Sequence, residues 1–372
     1  MRIMRTPRSL DLLITGTCNL RCAYCSHFSS AGDTKEDLPT DAWLTFFEEL
    51  GECAVLSVCL QGGEPLMRPD FIQLVESIVR NRMRFSILSN GTLITAELAT
   101  FLASTKRCDV VQLSIDGSTP GSHDVLRGEG SLSKAVAGLR ALLKVRIPVT
   151  VRVTVHKQNL GDLENVMELL LRDVGLPSVS TNSASYLGLC RRNSESVQLT
   201  AEERREAMAT LVRLAEKYKD RITATAGPLA EAKIWSEMER ARRAGLPSLP
   251  GGGKLTGCGG ALTKLAVTPD GAFVPCPQLP AMRLGKVNRD SLRDVWLHHP
   301  ELHRFRRRSQ ISLDRFALCR DCPYIRYCRG GCPATAYTLL GDPFQPSPDS
   351  CYRRFLESDG ASSRELALIA SG

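Results

Sequence analysis

Short apolar runs alternate with helical patterns over the first half of the chain. In the helical segments apolar residues recur at i, i+3, i+4 and i+7, as in the face formed by Trp43, Phe46, Phe47 and Leu50. Alternating strands and helices predict parallel βαβ units joined by right-handed crossovers, and six such units can curl into a partial barrel. In such a barrel, ligands bind beyond the carboxyl ends of the strands. The predicted strands are residues 10–15, 55–61, 85–89, 110–115, 148–155 and 179–183.

The second half of the chain changes character. Residues 247–253 (PSLPGGG) predict a boundary between domains, and from Gly257 onward short turns replace the long periodic runs. Two apolar runs, 265–268 and 272–274, flank a Pro-Asp-Gly turn and predict a β-hairpin. The predicted fold class is α/β, a partial (βα)6 barrel followed by a small cysteine-rich domain with a β-hairpin and short helices. The expected divisions are a barrel over 1–220, a helical bridging segment and linker over 221–256, the cysteine-rich domain over 257–356 and a tail over 357–372.

Composition places the chain among ordinary globular proteins, with 43% apolar and 24% charged residues. No stretch approaches the ~20 apolar residues that span a bilayer, and the N-terminus leaves no room for a signal peptide. A cytoplasmic location without a membrane partner is therefore expected. The net charge of +8 is spread along the chain, so no nucleic acid is expected. The one basic cluster, which we expect to be a solvated helix face, consists of Arg304, Arg306, Arg307 and Arg308.

Fourteen cysteines in a reducing compartment indicate metal ligation or catalysis in preference to disulfides. Cys18, Cys22 and Cys25 form a C-x3-C-x2-C motif in the loop after the first predicted strand. Three thiolates are one short of closing a four-iron cluster, which leaves one iron open to a chelating ligand. The alternative is a structural zinc site completed by His27.

This motif and the segments after it resemble the radical S-adenosylmethionine (radical SAM) family over residues 10–220. Gln61-Gly62-Gly63-Glu64-Pro65 ends the second predicted strand and is similar to the GGEP motif of that family. The resemblance implies that the amino and carboxylate groups of SAM chelate the open iron. The residues it implies around SAM are Tyr24 against the adenine, Gly62, Gly63 and Glu64 near the methionine ammonium, and Asn90, Ser114 and Asp116 near the ribose and the reacting centre. Ordinary turn chemistry is the alternative for the last three.

The fifth predicted strand alternates valines with polar residues, which directs Arg152 into the barrel lumen. A buried arginine needs an anionic partner. The methionine carboxylate is one candidate, and a structural ion pair with Asp116 or Glu64 is the other. Arg127 lies where related enzymes have a similar arginine, and the sequence assigns it no role.

A second cysteine set fills the C-terminal region. Cys319, Cys322, Cys328 and Cys332 have the spacing C-x2-C-x5-C-x3-C, preceded by Cys258 and Cys276 and followed by Cys351. Together they resemble the seven-cysteine SPASM domain that follows the barrel in many radical SAM enzymes. The alternative is a zinc ribbon, which would leave three of the seven cysteines unused.

The SPASM resemblance implies two auxiliary iron–sulfur clusters, hence three clusters in all, and the expected type is [4Fe-4S]. One would use Cys319, Cys322, Cys328 and Cys351. The other would use Cys258, Cys276 and Cys332, with its fourth ligand open between a carboxylate, the distant Cys190 and the substrate. We expect the remaining three cysteines to be small buried hydrophobic residues: Cys53, Cys59 and Cys108.

The implied activity is cleavage of SAM to a 5′-deoxyadenosyl radical, which abstracts a hydrogen atom from the substrate. Relatives with a SPASM domain mostly modify peptides, so the expected substrate is a ribosomally made peptide that becomes cross-linked, oxidised or epimerised. Sulfatase maturases carry an aspartate directly after the second SPASM cysteine. Here Pro277 and Gln278 follow Cys276, which argues against sulfatase maturation.

The expected partners are the peptide and a reductase or flavodoxin-type electron donor. Only nine residues precede the first predicted strand, so we expect no fused leader-binding domain, and a separate protein would then recognise the peptide. Two alternatives stay open. One is radical SAM oxidation of a small molecule, and the other is a non-catalytic iron–sulfur electron carrier.

Overall fold

The computed structural model describes residues 3–28 and 36–359. Within these residues one sheet of ten strands forms the centre of the fold. Most of the tail expected over 357–372 lies outside the described residues. The strands are β1 (Ser9–Thr15), β2 (Ser57–Gly62), β3 (Arg84–Ser89), β4 (Cys108–Ser114), β5 (Val149–Val155), β6 (Val179–Ser183), β7 (Ile222–Ala224), β8 (Lys264–Val267), β9 (Ala272–Val274) and β10 (Gly285–Lys286).

The helices of the first half lie between the barrel strands, and those of the second half are mostly short. The first group is α1 (Thr40–Glu52), α2 (Phe71–Arg80), α3 (Ala96–Ser104), α4 (Pro120–Arg127), α5 (Ser131–Lys144), α6 (Leu163–Glu168), α7 (Gly188–Arg192), α8 (Ser194–Val197) and α9 (Ala201–Lys217). The second group is α10 (Pro228–Arg243), α11 (Gly259–Leu262), α12 (Leu292–His298), α13 (Pro300–Arg306), α14 (Pro333–Leu340) and α15 (Tyr352–Asp359).

Strands β1 to β7 lie side by side in sequence order, and every neighbouring pair is parallel. The partial α/β barrel is therefore confirmed, and the bounds of its first six strands agree with the prediction within two residues. The seventh strand, β7, falls in the segment expected to be helical. All strands of this part end at one rim, and the loops that follow them define the functional site.

The apolar periodicity accounts for the packing of the barrel. The face predicted from Trp43, Phe46, Phe47 and Leu50 is fully buried on α1, and the four valines of β5 are buried as well. Helix α9 begins with a reciprocal cap, in which Thr200 Oγ1 accepts from the backbone N–H of Glu203 and the Glu203 carboxylate accepts from that of Thr200.

The predicted hairpin is present, and it joins the barrel sheet. Strands β8 and β9 pair antiparallel, and β8 also pairs in parallel with β1, with Ser9 opposite Lys264 and Leu12 opposite Val267. The Phe46 and Phe273 rings contact across this junction, with 5.7 Å between their centroids. The cysteine-rich region therefore continues the sheet of the barrel, a connection that the sequence did not indicate.

The basic cluster was predicted only in part. Arg304 and Arg307 are exposed, as expected of a solvated face, but Arg306 and Arg308 are only 6% and 0% exposed. The prediction is wrong for these two because their guanidinium groups satisfy backbone carbonyls of the turn-rich region. Arg306, for example, donates to the carbonyl of Ala261 at 2.9 Å.

None of the helices within the described residues combines the length and the apolar character that crossing a membrane requires.

Candidate active site

A cavity of about 870 Å3 lies at the carboxyl ends of the barrel strands. One wall carries the first cysteine motif and the ends of β2 to β6. The opposite wall carries Cys328 and Cys332 of the second cysteine set, together with α14. Its volume is near the upper end of the roughly 300–1,000 Å3 found for small-molecule sites. The predicted site residues that line it are Cys18, Cys22, Cys25, Tyr24, Gly62, Gly63, Asn90, Ser114 and Arg152.

The two glycines after β2 allow close contact with the first cysteine loop. The backbone N–H of Gly63 donates to the carbonyl of Thr15 at 2.9 Å, and that of Glu64 donates to the carbonyl of Thr17 at 2.8 Å. A Cβ on Gly63 would lie 2.0 Å from the Thr17 carbonyl oxygen. The Gly-Gly turn therefore holds the backbone that leads into Cys18.

Glu64 lies behind this turn and is fully buried. Its carboxylate accepts hydrogen bonds from Ser89 Oγ at 2.9 Å, from the backbone N–H of Asn90 at 2.7 Å and from that of Leu66 at 3.2 Å. Burial raises the pKa of Glu64 to about 7, although these hydrogen bonds oppose the shift. The carboxylate thus ties the end of β2 to the end of β3, and the backbone of the turn, not this side chain, faces the cavity.

Arg152 faces the cavity from β5, opposite Ser114 on β4. Its Nε donates to Ser180 Oγ at 3.4 Å, and within the described residues it forms no ion pair with Asp116 or Glu64. The structural ion pair considered from the sequence is therefore not formed. Burial lowers the pKa of Arg152, as expected for a cation without a carboxylate partner.

Asp116 lies behind the cavity wall, fully buried, and its contacts are to protein groups. It accepts from Arg127 Nε at 2.6 Å, from the backbone N–H of Thr154 at 2.8 Å and from the hydroxyl of Tyr24. Burial alone would raise its pKa, but the Arg127 guanidinium holds the pKa of Asp116 below its usual range. Asp116 therefore supports Tyr24, whose ring also stacks on His156 with 5.5 Å between centroids.

Arg127 is the site residue to which the sequence assigned no role. It is 6% exposed, lines the cavity, and lies over the Tyr24 ring with 5.3 Å between Cζ and the centroid. Its positive charge opposes the effect of burial on the Cys22 thiol, whose pKa is nevertheless raised to about 12. The sequence shows that Arg127 lies at the end of a helix. Its ion pair with Asp116, however, forms only in the folded barrel and could not be predicted from the local sequence.

The later cysteines affect one another's pKa in two sets. Burial and the charges of Cys328, Cys351 and Cys322 raise the pKa of Cys319 to about 12. Burial and charges that include Cys258, Cys332 and Asp11 raise the pKa of Cys276 to about 12. Because one charge shifts the pKa of another group only over a short distance, the cysteines within each set lie near one another.

Backbone amides approach several of these sulfurs in the same way. The residue two positions after the cysteine donates its N–H to Sγ, at 3.4 Å for Cys18 and Cys25, 3.5 Å for Cys276 and 3.3 Å for Cys328. Such donors stabilise thiolates, and hydrogen bonds to sulfur are among the features that tune iron–sulfur clusters. Across residues 3–28 and 36–359, no three His, Cys, Asp or Glu side chains are arranged to hold a single metal ion. A cluster is held at its corners, so its thiolates stand farther apart than the ligands of one zinc ion. The donor sets fit iron–sulfur clusters.

Cys190, one of the candidates for the fourth ligand of the Cys258 group, contacts the first cysteine loop. Its backbone N–H donates to the carbonyl of Cys25 at 3.4 Å, and its thiol accepts from Gln198 Nε2 at 3.0 Å. The fold thus holds it beside the first cysteine loop. Cys53 is buried in the core, whereas Cys59 and Cys108 are partly buried.

Comparisons with known families agree with this geometry. Residues 12–170 match the model of the Radical SAM superfamily, and residues 258–323 match SPASM, an iron–sulfur cluster-binding domain. The chain is 28% identical over 348 residues to PqqA peptide cyclase of Rhizobium meliloti (strain 1021), covering 92% of this chain and 86% of that protein. It is 27% identical over 354 residues to the AdoMet-dependent heme synthase of Methanosarcina barkeri (strain Fusaro / DSM 804), covering 93% and 97%.

Solved structures share the same fold. Streptococcus suis SuiB bound to precursor peptide SuiA superposes with a TM-score of 0.70 at 17% identity, covering 94% of this chain and 77% of that one. Native anSMEcpe with bound AdoMet superposes with a TM-score of 0.68 at 20% identity, covering 97% and 98%. The first match lies within the barrel, and the second begins at Cys258 and includes four of the seven later cysteines. The chain therefore belongs to the radical SAM superfamily, as an iron–sulfur enzyme with a SPASM domain after its barrel.

Proposed function

We propose that this enzyme modifies a ribosomally made peptide, in which a residue becomes cross-linked, oxidised or epimerised. The observation that carries the proposal is the single cavity with cysteines on both walls. Cys18, Cys22 and Cys25 approach it from the barrel, and Cys328 and Cys332 approach it from the SPASM region. A substrate in this cavity lies between a site that generates a radical and sites that can accept an electron.

We further propose that the chain holds three clusters, with SAM on the first. When bound, the first cluster and SAM supply a 5′-deoxyadenosyl radical that removes a hydrogen atom from the substrate. The residues of the chain bind and orient these groups. Arg152 provides a positive charge for the methionine carboxylate, and Asn90 and Ser114 provide polar groups at the strand ends. Tyr24, held by Asp116, provides a fixed aromatic wall.

The substrate side of the cavity is compatible with a peptide. Ile234 on α10 is 52% exposed and lines the cavity, as do Tyr186, Thr335 and Thr338. An exposed apolar side chain beside hydroxyl groups can contact both the side chains and the backbone of an extended peptide. The relatives support this choice, since PqqA peptide cyclase is named for a peptide and SuiB was crystallised with a precursor peptide. A separate leader-binding protein and a reductase or flavodoxin-type electron donor complete the proposal.

A small-molecule substrate is the second candidate, and one observation favours it. The heme synthase relative aligns over 97% of its length, so a protein named for a small-molecule product shares this whole architecture. The electron-carrier alternative has less support, because a carrier has no need of a cavity beside an open three-cysteine loop.

The deciding experiment uses anaerobically reconstituted protein with SAM and dithionite. Synthetic peptides that cover short reading frames next to the gene are added, and 5′-deoxyadenosine and peptide mass are measured. We expect peptide-dependent 5′-deoxyadenosine, with loss of two hydrogen atoms for a cross-link or oxidation, or deuterium uptake from D2O for epimerisation. A variant with Cys18, Cys22 and Cys25 changed to alanine is the control. If SAM is cleaved but no peptide increases the cleavage or is itself modified, the peptide proposal is contradicted. If the wild-type protein never cleaves SAM, the proposal of catalysis is contradicted.

A further inference from the structure

Arg308 is a fully buried cation in the SPASM region, with 0% of its surface exposed. Its guanidinium donates to backbone carbonyls of Thr256 at 2.5 Å, Pro343 at 2.9 Å, Gln345 at 3.3 Å and Gly331 at 3.5 Å. Within the described part of the chain it forms no ion pair with a carboxylate. The guanidinium therefore has hydrogen-bond acceptors, but no carboxylate of the described residues forms an ion pair with its positive charge.

An unbalanced buried charge is costly. Taking a cation out of water carries a large free-energy penalty, which carbonyl dipoles offset only in part. Buried charges in folded proteins are therefore paired with an anion or with a metal site. The nearby carboxylate of Asp342 is only partly buried and forms no ion pair with Arg308 within the described residues, so it balances the charge only in part and a further anionic partner is needed.

The position of Arg308 identifies the cysteines of one auxiliary group as that partner. Thr256 lies two residues before Cys258, and Gly331 lies directly before Cys332, so the guanidinium links the two segments that carry these ligands. Burial lowers the pKa of Arg308, and the charges of Cys258 and Cys332, followed by that of Asp342, oppose the shift. Geometry and electrostatics therefore point to the same location.

We propose that Arg308 is the counter-cation of the auxiliary cluster held by Cys258, Cys276 and Cys332, and that its charge raises the reduction potential of that cluster. The inference rests on the proposed presence of a cluster at these cysteines. Reduction adds a negative charge to the cluster, and a fixed positive charge in a dry environment makes that step more favourable.

The other auxiliary group has a weaker counterpart. Burial raises the pKa values of Cys319 and Cys322, and the charge of Arg353 opposes that rise. The Arg353 side chain, however, is 27% exposed and lies 3.6 Å from the carboxylate of Glu357. Solvent and this carboxylate screen its charge. The effect of Arg308 should thus be specific to the Cys258 group.

The test is an anaerobic redox titration of the fully reconstituted protein, followed by electron paramagnetic resonance. A Cys276→Ala variant identifies the signal of this cluster. We expect Arg308→Gln to lower the equilibrium constant for its one-electron reduction at least tenfold, which is a shift of about 59 mV to more negative potential. Arg308→Lys, which keeps the charge, should shift it far less. The signals of the other two clusters should not move.

Arg306→Gln is the matched control. Arg306 is also buried and bonded to backbone carbonyls, those of Ala261 and Trp296, but no cysteine charge affects its pKa. Equal shifts in the Arg306→Gln and Arg308→Gln variants would overturn the inference, and so would Arg308→Lys behaving as Arg308→Gln. If Arg308→Gln does not retain the cluster, Arg308→Lys distinguishes the two roles. A purely structural role predicts that Arg308→Lys also loses the cluster, whereas a role of the charge predicts that it keeps the cluster. If Cys276→Ala removes no cluster from the protein, the proposed cofactor set has failed, and not the role of the charge alone.

Discussion

The contact between the Gly-Gly turn and the first cysteine loop can be tested with one methyl group. In a Gly63→Ala variant the new Cβ would lie 2.0 Å from the Thr17 carbonyl oxygen and 3.1 Å from Cys18 Cβ. Since Cβ atoms essentially never approach other atoms closer than 3.0 Å, this carbonyl must retreat by at least 1 Å. This movement displaces Thr17, the residue that directly precedes Cys18.

The magnitude follows from what is displaced. Overpacking of this kind costs about 1–3 kcal/mol, and loss of the bond from Glu64 N–H to the Thr17 carbonyl adds about 1 kcal/mol. That sum is small enough for the barrel to remain folded. A 1 Å displacement at a reacting centre, however, can lower the rate about 100-fold. We therefore expect a folded protein with greatly reduced SAM cleavage.

The assay compares iron content, the electron paramagnetic resonance signal on addition of SAM, and 5′-deoxyadenosine formation. Gly63→Ala should lose or distort the signal of the first cluster while the auxiliary iron is retained. Gly161→Ala is the control, because a Cβ at Gly161 meets nothing within 4 Å. A Gly63→Ala protein with full iron and wild-type cleavage would refute the assigned role of the turn.

Three further predictions concern single side chains. Arg152→Gln should weaken SAM binding roughly tenfold to a hundredfold, since a charge-assisted bond is worth about 1.5–3 kcal/mol. Equilibrium dialysis measures the binding, and Arg213→Gln, which changes an exposed side chain of α9, should bind SAM normally. Burial raises the pKa of Glu64 from 4.5 to about 7, so the folded protein holds a proton that the unfolded chain releases. Stability should thus fall by up to about 3 kcal/mol as pH rises from 4.5 to 7, and anaerobic urea unfolding of Glu64→Gln should lack that component of the slope. Cys190→Ala should retain all iron, whereas Cys332→Ala should lose that of one cluster; iron loss on changing Cys190 would make it a ligand after all.

The local patterns predicted the barrel well because its elements depend on nearby residues. The apolar face of α1 and the valines of β5 are periodic over short segments, and burial of one face of each element suffices to place them. The cysteine motifs are also local, because the ligands of an iron–sulfur cluster need fixed spacings in a loop, and their role as ligands stays a prediction. Strand β7 escaped prediction because its three residues are too few for a period, whereas the equally short β9 was marked by the Pro-Asp-Gly turn before it.

Long-range contacts account for what the sequence did not predict. The carboxylates of Glu64 and Asp116 could each face SAM or the protein, and only the fold shows them bonded to Ser89 and Arg127. Arg306 and Arg308 belong to a run of basic residues that reads as a solvated face. Their burial depends on carbonyls far along the chain, which no local pattern encodes.

The connection of β8 to β1 fixes two cysteines of one auxiliary group relative to the first cysteine loop. Strand β1 ends three residues before Cys18, so its position fixes the first cysteine loop. The β8–β9 hairpin begins six residues after Cys258 and ends two residues before Cys276, so its position fixes two ligands of the auxiliary group. Because β8 pairs directly with β1, a single ladder of backbone hydrogen bonds sets the separation of the two cysteine groups. The SPASM region is therefore an extension of the sheet that carries the first cysteine loop, and Cys258 and Cys276 are held in a fixed position relative to that loop.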